Sequence, residues 1–307
     1  MTSEQSNGTA HFLNAKVLVP FTIVTIIWGS TWLVIRGQIS DVPVSWSVAY
    51  RFLVAAAAMF LLARYRRVTL WLGWPGMAFA ACLGIMQFVL NFNLVYRAEV
   101  HLTSGLVAML YALLLVPNSL LSWIIFRQPA GRAFIFGSFI AICGIALLFL
   151  HEYRTSRVAP DQVLLGIALG VGGTLCASVA NVMQGSGIAR RLPMVATLAW
   201  AMLLGGLFDA LGAWILAGPP SFDTRPLYIA GILYLAIAGS VVTFPLYFRL
   251  IQEIGAGRAA YTSVLIPIIA MLLSTLFEGY RWSPLALTGA ALALLGMVVA
   301  MRAKTTS

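Results

Sequence analysis

The sequence predicts an all-α integral membrane protein: ten transmembrane helices arranged as two inverted five-helix repeats around a central cavity. Three observations carry this. Apolar residues fill 61% of the 307 positions and charged residues 9%, with a mean hydropathy of +0.94, far from the usage of soluble domains. Ten apolar runs, each close to the roughly 20 residues a helix needs to cross hydrocarbon, follow one another with short connections. A shift of 152 positions lays the third to fifth runs on the eighth to tenth without a gap, bringing Arg97 onto Arg249, Gly105 onto Gly257, Leu120-Leu121-Ser122 onto Leu272-Leu273-Ser274, Gly137 onto Gly289 and Gly144 onto Gly296.

The repeat sets the geometry. Five spans per half is an odd number, so the second half enters the membrane from the opposite side, the plan in which substrate sits near the midplane between halves. The expected units are a tail over 1–16, repeats over 17–155 and 156–302, and a tail over 303–307. The first run is full length and lacks a small-residue cleavage site, so it reads as a span and not a signal peptide.

In chain order the runs are 17–36, 44–63, 74–96, 104–126, 132–150, 163–184, 194–217, 227–249, 258–277 and 283–302. Span one carries Thr22, Thr25, Trp28 and Trp32 on one face, with Ser30 and Thr31 beside them. Span two contains Arg51, a permanent cation in an apolar run. Span three offers Gln87, Asn91 and Asn93 and ends near Glu99; span four offers Tyr111, Asn118 and Ser122. Spans five and ten show only small residues on one face (Gly137, Ala141, Gly144 and Gly289, Ala293, Gly296), a pattern for close helix packing that makes them peripheral and candidates for a homodimer contact. Span six repeats the wet face of span one with Thr174, Ser178, Asn181 and Gln184, spaced four, three and three apart. Span seven holds Asp209. Span eight contributes Ser240, Thr243 and Tyr247, and span nine Tyr261, Thr262 and Ser263. Pro117, Pro245 and Pro267 fall inside spans four, eight and nine, where each removes a backbone bond.

Polar stripes facing lipid are costly, so the stripes of spans one and six are expected to line the cavity. Asn91, Asn181 and Gln184 are the amides best suited to a polar metabolite, each offering donor and acceptor. Trp28, Trp32, Tyr111, Tyr247 and Tyr261 are expected as cavity walls that hold a cation or ring by their π-faces, with Thr31 among the binding residues. For a single hydroxyl, gluing helices together is the plainer reading.

The +10 net charge belongs to topology and not to nucleic-acid binding. Twelve Lys and Arg residues, including Arg64-Tyr65-Arg66-Arg67 and Arg190-Arg191, fall on the tails and loops of one side. Six (Arg36, Arg97, Arg154, Arg157, Arg225, Arg281) fall on the other. The positive-inside rule then places both termini in the cytoplasm, for a multi-pass protein of the cell inner (plasma) membrane. Cys82, Cys143 and Cys176 lie within spans and the three histidines at a tail or span ends, so no disulfide framework, metal site or cofactor is expected.

Several stretches taken together carry a family resemblance: "WGSTWLVIRG" (28–37), "YRFLVAAAAMFLL" (50–62), "AEVHLTSGLVA" (98–108) and "LFEGYRWSPLALTGAALALLGMVV" (276–299). In order, over nearly the whole chain, they resemble EamA-type members of the drug/metabolite transporter superfamily. The resemblance implies export or exchange of small metabolites, often amino acids or cationic compounds. It also implies an acidic residue ending span four as Glu278 ends span nine, but the first half reads "IIFRQP" (124–129) there.

Arg51 and Asp209 are the residues that ionise well inside spans, at similar depth on corresponding helices. They are expected to interact as a gating or coupling pair, with Glu99 as third member. Two alternatives stand beside this: Arg51 snorkels to the headgroups while Asp209 finds a local hydroxyl, or Asp209 carries protons as the coupling ion. An intramembrane enzyme is disfavoured by the absence of an HExxH pair, of a second mid-span aspartate and of a mid-span histidine. A secondary active transporter working by alternating access, most readily an exporter of an amino acid or organic cation, fits the plan best. An obligate exchanger and a channel or receptor are the alternatives.

Overall fold

A computed structural model of the chain describes residues 15–39, 42–127, 131–155, 159–254 and 262–302, and these are helical apart from short connections. Tyr261 lies outside the described residues. Eight helices are long and apolar enough to cross a membrane: Ala15–Gln38, Val44–Tyr65, Gly73–His101, Ser104–Ile125, Arg132–Thr155, Pro160–Gln184, Met194–Ala217 and Pro226–Tyr247. Thr262–Phe277 and Pro284–Arg302 are shorter apolar helices and complete ten. In this order they are spans one to ten. Spans six, eight and ten start on a proline, whose fixed φ suits the first turn and whose missing N–H is not needed there. Arg67, at φ 53°, ends span two and sends its basic cluster out of the apolar layer.

The packing follows the repeat. Spans two and seven, four and nine, and five and ten pack as pairs, each helix against its counterpart from the other half; span one packs on eight and nine, and span three on six and seven. Spans two and seven therefore touch directly, Leu53 against Gly206, and do not face each other across a cavity.

Spans five and ten form the tightest pair because glycine lets backbone meet backbone. A Cβ on Gly144 would collide with the backbone nitrogen of Ala293 and stand 2.6 Å from the carbonyl oxygen of Gly289, and one on Gly296 would meet Ala141 and Gly137 in the same way. The small faces expected for dimer contact are thus consumed within the chain. A homodimer through these spans would have to use their opposite faces, where Ile135, Phe136 and Phe139 are exposed.

Two π-helical segments occupy matching positions. Gly84–Asn91 interrupts span three and Ile237–Val242 interrupts span eight; the shift of 152 lays 84–91 on 236–243. In span eight the π-segment contains residue 241, whose carbonyl the ring of Pro245 would otherwise strike. The Ser240 hydroxyl donates to the Leu235 carbonyl at 2.9 Å. A widened turn replaces the expected proline kink. Span four breaks at Leu113 and Leu114, and Leu113 is the residue four before Pro117. Span nine runs through Pro267 unbroken. The two prolines are two positions out of register, and the two helices bend differently.

The backbone contact of spans five and ten gives a test. Gly144→Leu is expected to lower the thermal midpoint of the detergent-purified protein by several degrees, in line with the roughly 1–3 kcal/mol cost of overpacking. Gly212→Leu, where a Cβ meets nothing within 4 Å, is expected to leave the midpoint unchanged.

Candidate functional site

A cavity of about 180 Å³ lies between the two halves, lined by spans one, two, three, four, six, eight and nine. Span seven contributes no lining residue among those described, so the expected ring of eight helices is a ring of seven. Of the predicted binding residues, Trp28, Thr31, Trp32, Asn91, Tyr111, Asn181 and Tyr247 line it, and so does Arg51. Gln184, one turn beyond Asn181 on span six, does not. Neither do Glu99 and Asp209.

The walls are aromatic. Trp32 packs against Tyr111 with ring centroids 5.0 Å apart, and Trp28 against Tyr247 at 5.0 Å and Phe244 at 5.6 Å. The Trp28 indole N–H donates to the Gly239 carbonyl at 3.3 Å, a bond that ties span one to the π-segment of span eight. Thr31 is 6% exposed and turns its hydroxyl onto the Trp28 carbonyl.

The amides divide. Asn91 is spent on structure: its NH₂ donates to the Gln87 carbonyl at 3.2 Å, and its side-chain oxygen accepts the Tyr111 hydroxyl. It orients Tyr111 and has little left for a ligand. Asn181 makes no hydrogen bond among the described residues and is exposed to the cavity, leaving donor and acceptor free. Gln87, on the π-segment of span three, lines the cavity as well.

Arg51 is 2% exposed. It stands seven residues past Val44, about 10 Å along the helix. Its guanidinium lies over the Phe92 ring at 4.4 Å and near the Phe52 ring at 5.1 Å. Its Nε and Nη1 have no hydrogen-bond partner among the described residues. Tyr96 and Glu99 are its electrostatic neighbours. A cation on an aromatic face gains about 2 kcal/mol when desolvated, so two rings offset much of the roughly 3 kcal/mol that insertion scales charge for a mid-helix arginine and hold the guanidinium in place.

The expected Arg51–Asp209 ion pair is not formed. Asp209 instead accepts from the Asn93 side chain at 2.6 Å, and Asn93 accepts from the Ser45 hydroxyl at 2.7 Å. Asn93 is shared between spans two, three and seven. An amide that both donates and accepts can bridge a hydroxyl and a carboxylate in one chain of bonds; Arg51, one and a half turns below Ser45, faces the other way, towards the cavity. Snorkelling to the headgroups is not seen either, since the guanidinium points inward.

Glu99 lies one turn beyond Val95 on span three, outside the cavity lining. It is fully buried, neither carboxylate oxygen has a hydrogen-bond partner among the described residues, and its backbone carbonyl accepts from the Arg36 guanidinium. Arg36 also stands 3.8 Å from the Glu278 carboxylate. Glu278 accepts from the Ser104 backbone N–H at 3.1 Å and its hydroxyl at 2.7 Å. Spans one, three, four and nine are bound together there. From this seal the lining runs to Tyr247, Thr262 and Ser263 at the opposite end.

The predicted set missed Gln87, Phe92, Phe244, Ser263, Arg36 and Glu278. Phenylalanine in an apolar run looks lipid-facing, but the repeat carried the signal: the shift of 152 lays Phe92 on Phe244, Gln87 on Gly239, Val95 on Tyr247, Tyr111 on Ser263 and Leu114 on Ile266, and all ten line the cavity.

Known proteins share this architecture. A solved crystal structure superposes with a TM-score of 0.68 at 18% identity, over 93% of this chain and 96% of its own, a likeness of fold. Protein PagO of Salmonella typhimurium is 27% identical over 272 residues, 87% of each chain. A probable amino-acid metabolite efflux pump of the same organism is 23% identical, covering 90% of this chain and 92% of that protein. A probable terminal-alkyne amino-acid exporter of Streptantibioticus cattleyicolor is 23% identical over 94% of each. The sequence model of the EamA-like transporter family matches twice, over residues 17–150 and 164–302, so both five-helix halves, the cavity between them and the seal over it are those of a member of the EamA-like transporter family.

Proposed function

We propose that this protein is a secondary active exporter that moves a small polar or amphipathic metabolite by alternating access. Its setting is the cell inner (plasma) membrane, with both termini in the cytoplasm. The observation that supports the reading is the aromatic-walled cavity between the two halves, with a polar cluster from four spans just beyond its Ile35, Val95 and Ala108 lining. With the basic surplus inside, the Arg36–Glu99–Glu278–Ser104 cluster lies towards the outer side and serves as the outer gate. The names of the efflux pump and the exporter among its relatives support outward transport. Glu99 and Asp209 are the buried carboxyl groups available if protons couple the cycle.

The two gates differ in chemistry. Under the shift of 152, Arg36 and Glu99 correspond to Ile188 and Ile251, and Glu278 to Phe126. The outer gate is polar and its counterpart positions are apolar. Opening the outer gate breaks charge-assisted hydrogen bonds, worth about 1.5–3 kcal/mol each, and an arriving substrate has to offset that loss for the cycle to turn.

Alternating access is tested by labelling. With Cys82, Cys143 and Cys176 replaced by alanine, a cysteine at Ala108 in the cavity wall is expected to react with an impermeant maleimide faster in inside-out than in right-side-out vesicles. Glu278→Gln is expected to raise the right-side-out rate about tenfold. Equal reaction from both sides without the gate variant would identify a channel. In a transport assay, Asn181→Ala is expected to raise KM about fivefold, the worth of one hydrogen bond of about 1 kcal/mol, whereas Gln184→Ala is expected to match wild type.

A further inference from the structure

The cavity carries one formal charge among its described lining residues, and it is positive. Arg51 lines it; Glu99 and Asp209 do not. Asp209 is engaged by Asn93 at 2.6 Å, and no carboxylate lies within 4.0 Å of the Arg51 guanidinium among the described residues. A cationic cargo would therefore meet a like charge in a low-dielectric slot.

The scaffold does not need this charge. Spans three and eight, and four and nine, supply lining residues in equivalent pairs, but Arg51 corresponds to Leu203, which is not in the lining. The same position in the other half does its structural work with an apolar side chain. What Arg51 adds is a fixed donor. Phe92 and Phe52 hold its plane, two of its nitrogens are unpartnered, and its Nη2 edge borders span eight, 3.6 Å from where a Cβ on Gly239 would stand. A guanidinium presents a planar fork that matches a carboxylate.

We infer that Arg51 is the receptor for a substrate carboxylate, and that the cargo is a small carboxylic acid with an apolar or aromatic body, organic cations being excluded. The body lies between the Trp32–Tyr111 and Trp28–Tyr247 ring pairs. Asn181 and Gln87 offer amides to a second polar group, such as the ammonium of an amino acid. This rests on the transport reading of the cavity, but its test is a binding measurement.

The protein in lipid nanodiscs is titrated, with tryptophan fluorescence and thermal shift as readouts, against L-phenylalanine and L-leucine, their methyl esters, the amines phenethylamine and isoamylamine, and 3-phenylpropanoate. The carboxylates, with or without the amino group, are expected to bind at least tenfold more tightly than the esters and amines. Arg51→Gln is expected to weaken carboxylate binding at least tenfold without affecting amines, and Arg51→Lys to restore part of it. The comparison of acid with ester on the wild-type protein needs no variant, so a misfolded Arg51→Gln leaves the test intact. The inference is overturned if amines or esters bind as tightly as acids, if Arg51→Gln binds acids like wild type, or if none of the acids binds. Transport of the same compounds into proteoliposomes separates the two readings: acids bound through Arg51 but never moved would sink the transport reading alone, whereas an amine moved while acids are neither bound nor moved would sink this inference alone.

Discussion

Hydrocarbon offers no hydrogen bonds, and this constraint orders the whole molecule. Each polar group in a span must find a partner inside the bundle, line water-accessible space or be absent. Spans five and ten are almost free of polar side chains on their facing surfaces, and their glycines let them pack backbone to backbone. Threonines on inner spans satisfy themselves on their own helix, as Thr31 does on the Trp28 carbonyl and Thr243 on that of Gly239. Asn181, Gln87 and Arg51 are turned to the cavity between the halves.

That space inherits the symmetry of the repeat, then departs from it. Equivalent residues from spans three and eight, and from four and nine, line the cavity, and π-segments interrupt spans three and eight at matching positions. A π-turn leaves backbone groups less well paired and gives the helix room to change its local pitch, so it is a natural place for two halves to move against one another. Arg51 and the Arg36–Glu99–Glu278–Ser104 cluster are where the halves differ. Function enters through these asymmetries: a symmetrical cavity has no preferred polarity for its ligand, and two identical gates have no preferred resting side.

The seal and the buried arginine are connected through Glu99. It lies outside the cavity lining, with Glu278, Arg36 and Arg51 as its charged neighbours. Its carbonyl takes part in the seal while its carboxylate is left without a hydrogen bond among the described residues. A ligand that engages Arg51 alters the electrostatic surroundings of Glu99, and opening the seal alters them again.

By itself the sequence determined the membrane class, the ten apolar segments nearly to their ends, the inverted plan and most of the cavity wall. Those follow from apolar run length, from an odd number of spans per repeat and from polar spacing on a helix face, which are properties of a chain read along one dimension. It also held an unread signal in the repeat register, which pairs Phe92 with Phe244. Only the tertiary structure decided partners. That Asp209 bonds Asn93 and not Arg51, that Asn91 is consumed by Tyr111, that Gln184 misses the cavity and that the small faces of spans five and ten meet each other all depend on helix rotation and depth to within about a hydrogen-bond length. Spacing along one helix fixes a residue's face, but which neighbour that face meets is set by packing contributed from elsewhere in the chain.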